Sequence, residues 1–324
     1  MNAAFESMRP YLANPDQICR ARLSRLEEGS GRGQRIVDVV NGSGLAFTVT
    51  PDRGMNLVDA SFDGIPIAFR TPGGYRSVSG DWLRDWPGGL LTTCGLRNAG
   101  SPSGSQTLHG NISSESAEQL SIRCRDGEIE LGGMLREGAL FNANLTLERT
   151  IRTAYGENKI QIHDIVRNRS EFPEFTEMLY HCNLGYPLVS PELEFDVPDH
   201  AIEPRNEAAA GGLKEWNRFP PPLAGFDEHC FRHRLPADGN GRAVMRIHNP
   251  KLKLAVHIAY DTATLPLIVE WKKPSRSSYV LGLEPTNASL NGCEYDRAHG
   301  YGIELPPGGA AEYRFEIGFE RLPF

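Results

Sequence analysis

The chain has 324 residues, of which 40% are hydrophobic and 23% charged, so it can bury one large core or two smaller ones. Its formal net charge is -7 and no basic run exceeds a few residues, which argues against nucleic acid and anionic membrane surfaces as partners. No apolar run approaches the roughly 20 residues that span a bilayer. The beginning of the chain lacks the charged and apolar regions of a signal peptide, and the six cysteines are scattered. Free thiols in a cytoplasmic protein are therefore the simplest interpretation.

The first part of the chain differs in pattern from the rest. Residues 1–35 are polar and Arg-rich and are predicted to form an N-terminal extension, with a short helix over residues 15–23. From Ile36 onward the pattern changes to strands, and residues 36–324 are predicted to form a single β-sandwich domain. An Asp63-Gly64 step between two apolar runs predicts a hairpin turn.

Two long segments carry no clear period. Residues 71–107 are rich in Gly, Ser, Trp and Pro, and residues 196–226 are irregular. So long a loop inside a compact domain is usually functional rather than a linker, so residues 71–107 are expected to help form a site.

The late strands show the clearest pattern. In residues 251–258 and 312–320, apolar side chains alternate with polar or charged ones. Strict period-two alternation places one face in the core and the other in water, which is typical of antiparallel sheets. Gly (34) and Pro (23) together exceed a sixth of the chain and favour turns over long helices. The predicted fold is all-β, a large antiparallel β-sandwich.

Three side chains at strand ends are candidates for proton transfer. His181 is carried by an apolar run into a Cys-Asn step, and His109 lies between Leu108 and a glycine. Glu284 closes a nearly uncharged strand, where an unpaired carboxylate costs several kcal/mol or has a raised pKa. A structural role remains open for each: a hydrogen-bonded histidine in two cases and a salt bridge in the third.

Five short motifs, in order along residues 45–320, carry a family resemblance. They are Pro51-Asp52-Arg53-Gly54-Met55, Gly88-Gly89-Leu90-Leu91-Thr92-Thr93-Cys94-Gly95-Leu96, Leu108-His109-Gly110, Tyr180-His181-Cys182-Asn183-Leu184-Gly185-Tyr186-Pro187-Leu188 and Gly282-Leu283-Glu284-Pro285-Thr286-Asn287. Together they resemble the aldose 1-epimerase (galactose mutarotase) superfamily. The resemblance is greatest to its uncharacterised aldose-epimerase-like, DUF4432-type branch.

The resemblance implies a fold, a reaction and roles for the three candidates. The fold would be the galactose mutarotase-like supersandwich with a carbohydrate cleft on one face. His181 matches the general acid that protonates the ring oxygen, and Glu284 the base that takes the proton from the anomeric hydroxyl. His109 matches the second histidine, which assists the acid. Mutarotation needs the acid and the base on opposite sides of the hemiacetal and no cofactor or metal, so none is predicted.

The resemblance also implies residues that bind the sugar. Arg97 is the nearest match by order to the family's substrate-binding arginine, with Arg53 the alternative. The acidic residue that holds sugar hydroxyls would fall at Asp227, or at Glu228. Two further members of the predicted binding set are Asn183 in the histidine motif and Trp271, which could stack on a sugar face.

Three other interpretations use the same residues. The protein could be a non-catalytic sugar-binding sandwich. It could hold a metal in a two-histidine, one-carboxylate site formed by His109, His181 and Glu284. It could also be an isomerase or lyase that abstracts a proton from a modified sugar. The first choice is an aldose 1-epimerase-like enzyme, a monomer or homodimer whose partner is a small-molecule sugar.

Overall fold

The computed structural model describes residues 2–323 and contains twenty strands and four short α-helices in that range. The first ten strands are β1 Arg20–Arg25, β2 Arg35–Val40, β3 Leu45–Thr50, β4 Asn56–Phe62, β5 Ile65–Pro66, β6 Thr92–Leu96, β7 Glu118–Arg125, β8 Glu128–Gly138, β9 Asn144–Ala154 and β10 Glu157–Asn168. The others are β11 Glu174–Gly185, β12 Glu194–Asp196, β13 Ala201–Pro204, β14 His229–Arg234, β15 Arg242–Asn249, β16 Leu254–Asp261, β17 Leu267–Ser275, β18 Ser278–Thr286, β19 Ile303–Leu305 and β20 Ala310–Arg321. The helices are α1 Ala3–Met8, α2 Trp82–Asp85, α3 Glu207–Gly212 and α4 Cys293–Ala298.

The strands form three sheets in which the paired strands run antiparallel. A five-stranded sheet has the order β1-β2-β3-β4-β5. An eight-stranded sheet has the order β12-β15-β16-β20-β10-β9-β8-β7. A seven-stranded sheet has the order β13-β14-β17-β18-β11-β19, with β6 also paired to β11. The predicted all-β antiparallel fold is confirmed.

One hydrophobic core joins the sheets, and the alternation seen in the sequence explains it. Along β20, Tyr313, Phe315 and Ile317 are buried while the residues between them face outward. The ring of Phe315 lies 4.2 Å from the ring of Tyr180 on β11, so the eight-stranded and seven-stranded sheets meet there. His181, the next residue of β11, therefore points to the opposite face of its sheet.

A buried ion pair lies within this core. Arg149 on β9 and Asp164 on β10 are fully buried, with Nε 2.9 Å from Oδ1 and Nη2 2.5 Å from Oδ2. The Tyr180 hydroxyl donates to Asp164 at 2.8 Å, and Arg149 Nη1 donates to the Gly54 carbonyl at 3.1 Å. The pair thus connects two sheets and the turn at residues 51–54.

The prediction of a helix over residues 15–23 was wrong. Residues Pro15–Gln17 form a single 3₁₀ turn, and Arg20–Arg25 is strand β1, paired along its whole length with β2. The free edge of β2 offers backbone partners that a helix could not use, and this tertiary pairing outweighs local propensity. The short helix lies earlier, at Ala3–Met8, where the Asn2 side chain caps it. The N-terminal segment therefore supplies a strand of the first sheet, and the assignment of the remainder to a single domain stays a prediction.

The two segments predicted to be irregular contain short elements. Residues 71–107 include α2 and the strand β6, and residues 196–226 include β13 and α3. Every residue of β6 is buried, so its sequence does not alternate and could not be recognised as a strand by period. None of the helices found between residues 2 and 323 is long and apolar enough to cross a membrane.

Candidate active site

His181 and Glu284 meet on adjacent central strands of the seven-stranded sheet. The register pairs Leu179 with Thr286 and Cys182 with Leu283, which sets His181 across from Glu284. His181 Nε2 lies 3.2 Å from Glu284 Oε1, and the two side chains are 6% and 1% exposed. The resemblance led us to expect the candidate acid and base on opposite sides of a hemiacetal. In the structure the two side chains instead lie side by side.

His109 joins this pair from the loop after β6. Its ring centroid lies 5.6 Å from that of His181. His109 has a φ of 60°, and its backbone N–H donates to the Gly100 carbonyl at 2.8 Å. The next residue must be a glycine, because a Cβ at Gly110 would overlap the carbonyl oxygen of Gly95. The Leu-His-Gly sequence thus forms a tight turn that directs the histidine at the two strands.

These three side chains line a cavity of about 340 Å³, here called the catalytic cavity. Its apolar walls are Trp82, Leu83, Trp86, Leu108, Trp271 and Leu290. The remaining charged lining groups are Arg205 and Glu228. The volume lies at the lower end of the range for small-molecule sites, roughly 300–1,000 Å³, and suits a ligand of monosaccharide size.

Burial sets the protonation of the His181–Glu284 pair. It raises the pKa of Glu284 well above 4.5, an effect opposed by the charge of Arg205 and reinforced by that of Glu228. Burial also lowers the pKa of His181 well below 6.5, as does the nearby His109. Burial thus disfavours the charged form of each group.

The predicted binding residues divide into two groups. Trp271 and Glu228 line the catalytic cavity, where the indole Nε1 donates to Glu228 Oε2 at 2.9 Å. Asn183 is buried behind it and donates to the carbonyls of His181 and Gly89 at 2.8 and 3.0 Å. It therefore braces the strand that carries the histidine instead of lining the cavity.

Asp227 and the two predicted arginines lie elsewhere. The Asp227 side chain is exposed and does not line the cavity. Arg53 is buried against the carbonyls of Ser113 and Arg76, at 3.3 and 3.2 Å. Arg97 lines a neighbouring cavity. None of these three reaches the space next to His181 and Glu284.

Arg205 is a cavity residue that the sequence did not reveal. It follows β13, and its Nη2 donates to Ser101 Oγ at 2.8 Å and to the Leu290 carbonyl at 2.7 Å. Its charge acts on both Glu284 and His109. It belongs to the irregular segment 196–226. The proline directly before it, Pro204, was the only signal in the sequence that could have suggested the end of a strand.

The metal-site interpretation gains no support from the geometry. Across residues 2–323, no group of three or more His, Cys, Asp or Glu side chains is arranged to hold a metal ion. His181 and Glu284 are instead directed at each other.

His109 makes a testable contribution to stability. Burial, together with the charge of Arg205, lowers its pKa from 6.5 to about 4. Between these values the unfolded chain binds a proton that the folded protein does not. Stability is therefore full above pH 6.5 and falls as the pH drops toward 4, by up to about 1.4 kcal/mol per pH unit.

Urea titrations at pH 7, 6 and 5 would measure this slope in the wild type and in His109→Gln. We expect the variant to lose part of it, whereas His299→Gln, which removes a histidine from the end of α4, serves as the control. Equal slopes in the wild type and His109→Gln would contradict the assignment.

Comparison with known proteins gives a family and several solved structures. Residues 31–319 match the model of a family described as "Domain of unknown function (DUF4432)". A Klebsiella pneumoniae protein, provisionally described as an aldose 1-epimerase, is 26% identical over 92% of this chain and 83% of its own, with a TM-score of 0.86. Among curated proteins, no sequence matches.

Two more distant structures share the fold. A galactose mutarotase-like protein from Clostridium acetobutylicum is 13% identical over 94% of this chain and 100% of its own, with a TM-score of 0.66. A galactose 1-epimerase from Lactobacillus acidophilus is 12% identical over the same shares, with a TM-score of 0.64. At these identities the likeness concerns the fold alone.

Proposed function

The chain belongs to the DUF4432 family, and we propose that it is an aldose 1-epimerase-like enzyme that interconverts the α and β anomers of an aldose. The observation that supports this best is the buried contact of 3.2 Å between His181 Nε2 and Glu284 Oε1. A histidine and a carboxyl group in contact, at the wall of a cavity of sugar size, are the acid–base groups that this reaction needs.

The reaction moves two protons and breaks one bond. The base takes the proton of the anomeric hydroxyl while the acid gives its proton to the ring oxygen. The bond between the anomeric carbon and the ring oxygen breaks, leaving an open-chain aldehyde. After rotation about the C1–C2 bond, the same steps in reverse close the ring on the other face, so no atom or electron is gained or lost.

The requirement that the acid and the base lie on opposite sides of the hemiacetal is stricter than the chemistry needs. The hydroxyl oxygen and the ring oxygen are both bonded to the anomeric carbon, so they also lie side by side and can face one residue each. In the family's assignment Glu284 is the base and His181 the acid. That assignment needs a protonated His181 and an ionised Glu284, whose Nε2 and Oε1 atoms lie 3.2 Å apart. The ring centroid of His109 lies 5.6 Å from that of His181, and His109 would then assist the acid at the ring oxygen.

Anomer exchange followed by saturation-transfer NMR on a panel of aldoses tests the proposal. We expect the wild type to accelerate exchange of at least one aldose and His181→Ala to lose on the order of 10²–10⁴ of that acceleration. A wild type that binds a sugar without accelerating exchange would favour the sugar-binding interpretation instead. The cytoplasmic location and the monomeric or dimeric state stay predictions.

A further inference from the structure

A second cavity lies beside the catalytic one and differs from it in character. It also measures about 340 Å³, and we call it the polar cavity. Its hydrogen-bonding side chains are those of Trp82, Asp85, Arg97, Thr107, Asn111, Ser114, Glu115, Glu137 and Asn142. This lining contrasts with the tryptophans and leucines of the catalytic cavity. Such a mixture of donors and acceptors is what a ligand rich in hydroxyl groups requires, since each hydroxyl both donates and accepts.

Glu137 is the group in this cavity that most needs a ligand. It is only 6% exposed, and its Oε2 accepts a hydrogen bond from the Leu96 backbone at 2.8 Å. Its Oε1 is buried and has no partner of good hydrogen-bond geometry among residues 2–323, although the Asn111 side chain interacts with the carboxyl group. Buried polar atoms are rarely left unpaired, and Glu137 lines the cavity, so its carboxyl group is a candidate partner for a ligand there. Burial and the charge of Glu115 raise the pKa of Glu137 to about 7, so it can accept from a hydroxyl or donate to one.

The surrounding side chains offer complementary groups. Arg97 Nη1 donates to Asn142 Oδ1 at 2.8 Å, which fixes the amide so that its nitrogen remains a donor. The Thr107 hydroxyl lies 3.3 Å from Asn111 Oδ1. Carboxylate, guanidinium, amide and hydroxyl groups thus converge within one small volume.

The two cavities share a wall. Trp82 lines both, and its ring centroid lies 4.7 Å from that of His109. Successive residues of one loop also face different cavities: Thr107 and Gly110 line the polar one, and Leu108 and His109 line the catalytic one. The two cavities are therefore adjacent.

The catalytic cavity alone offers a sugar few hydrogen bonds. Besides the three acid–base residues, its charged groups are Arg205 and Glu228. The backbone there is already paired: Gly100 O accepts from His109 N, and Leu290 O accepts from Ser101 N. The polar cavity is an adjacent source of further hydrogen bonds to sugar hydroxyl groups.

We propose that the polar cavity binds the second sugar unit of a reducing disaccharide or longer glycan whose reducing end occupies the catalytic cavity. This inference rests on the proposed function, which it extends to a substrate class. Arg97, predicted from the sequence as a sugar-binding residue, would then bind the sugar, but in the neighbouring subsite. Glu137 would be the main hydrogen-bond acceptor for that second sugar unit.

Matched pairs of reducing sugars test the inference. Anomer exchange would be measured for D-glucose against maltose and cellobiose, and for D-galactose and D-mannose against disaccharides that carry them at the reducing end. We expect at least one disaccharide to show a kcat/KM about tenfold above that of its own monosaccharide, since one or two added hydrogen bonds correspond to a factor of that size. Glu137→Gln should bring the ratio close to one, whereas the exposed Glu28→Gln should not change it.

A binding measurement separates the two ways of failing. Saturation-transfer difference NMR should detect contact with the non-reducing unit of the preferred disaccharide, and Glu137→Gln should weaken it. If monosaccharides are accelerated as well as or better than every matched disaccharide, the subsite is refuted and the proposed function stands. If no sugar is accelerated, the proposed function fails. If no sugar is accelerated and the non-reducing unit of every disaccharide also receives no saturation, the subsite is refuted as well.

Discussion

Replacing Glu284 with glutamine is expected to remove on the order of 10²–10⁴ of the acceleration of anomer exchange and to raise the free energy of unfolding at pH 7. Glutamine has nearly the same shape but cannot give or take the proton. The gain in stability follows from the raised pKa of the buried carboxyl group. Its stabilising contribution is complete below pH 4.5 and is lost as the pH rises toward the folded-state pKa, so a neutral amide avoids that loss.

Saturation-transfer NMR and urea unfolding, both at pH 7, would measure the two effects on the same preparation. Glu270→Gln is the matched control, because Glu270 is a fully buried carboxylate of β17 that lies 3.3 Å from His233 and outside the catalytic cavity. We expect this control to retain exchange activity. Wild-type exchange in Glu284→Gln would exclude the residue as the proton-transfer group.

Replacing Arg149 with methionine is expected to lower the free energy of unfolding by about 3–5 kcal/mol, the usual effect of removing one partner of a buried ion pair. Asp164 would be left fully buried, and it would keep only the hydrogen bond from Tyr180 among the side-chain contacts described above. The Gly54 carbonyl would also lose its donor. The effect is large because the uncompensated charge cannot reach water.

Urea unfolding at constant pH would measure the change, with the slope m compared to show that the unfolding transition is unaltered. The double variant Arg149→Met, Asp164→Leu should recover much of the loss, because it removes the stranded charge as well. Arg123→Met is the control for removing an arginine, since its pair with Glu130 is exposed and should be worth at most about 1 kcal/mol. Equal losses in the buried and exposed variants would refute the argument.

A strand could be predicted from the sequence where one of its faces is exposed to water. Strand β20 could be recognised because Tyr313 and Phe315 alternate with charged residues. Strand β6 could not, because it is buried on both faces. Strand β1 could not either, because what makes it a strand is the edge of β2, which lies elsewhere in the chain.

The same distinction applies to the site. His181 and Glu284 could be predicted as candidates because both lie in matched motifs, but their side-by-side contact comes from the register of β11 and β18. Arg205 could not be predicted, since its place in the catalytic cavity depends on the path of an irregular segment. The cavity that Arg97 lines could not be predicted either. Order along the chain does not show which of two adjacent cavities a side chain faces.

Strands hold the acid–base pair, and loops supply much of the cavity wall around it. His181 and Glu284 are fixed by strand register, whereas Trp82, His109, Arg205 and Glu228 arrive on loops or at their margins. Under the proposed function, changes in the loops would therefore alter which sugar is accepted without moving His181 and Glu284. Laboratory evolution of new sugar preferences should accordingly concentrate its mutations in the segments 78–86, 97–111 and 205–228 and leave the paired strands untouched.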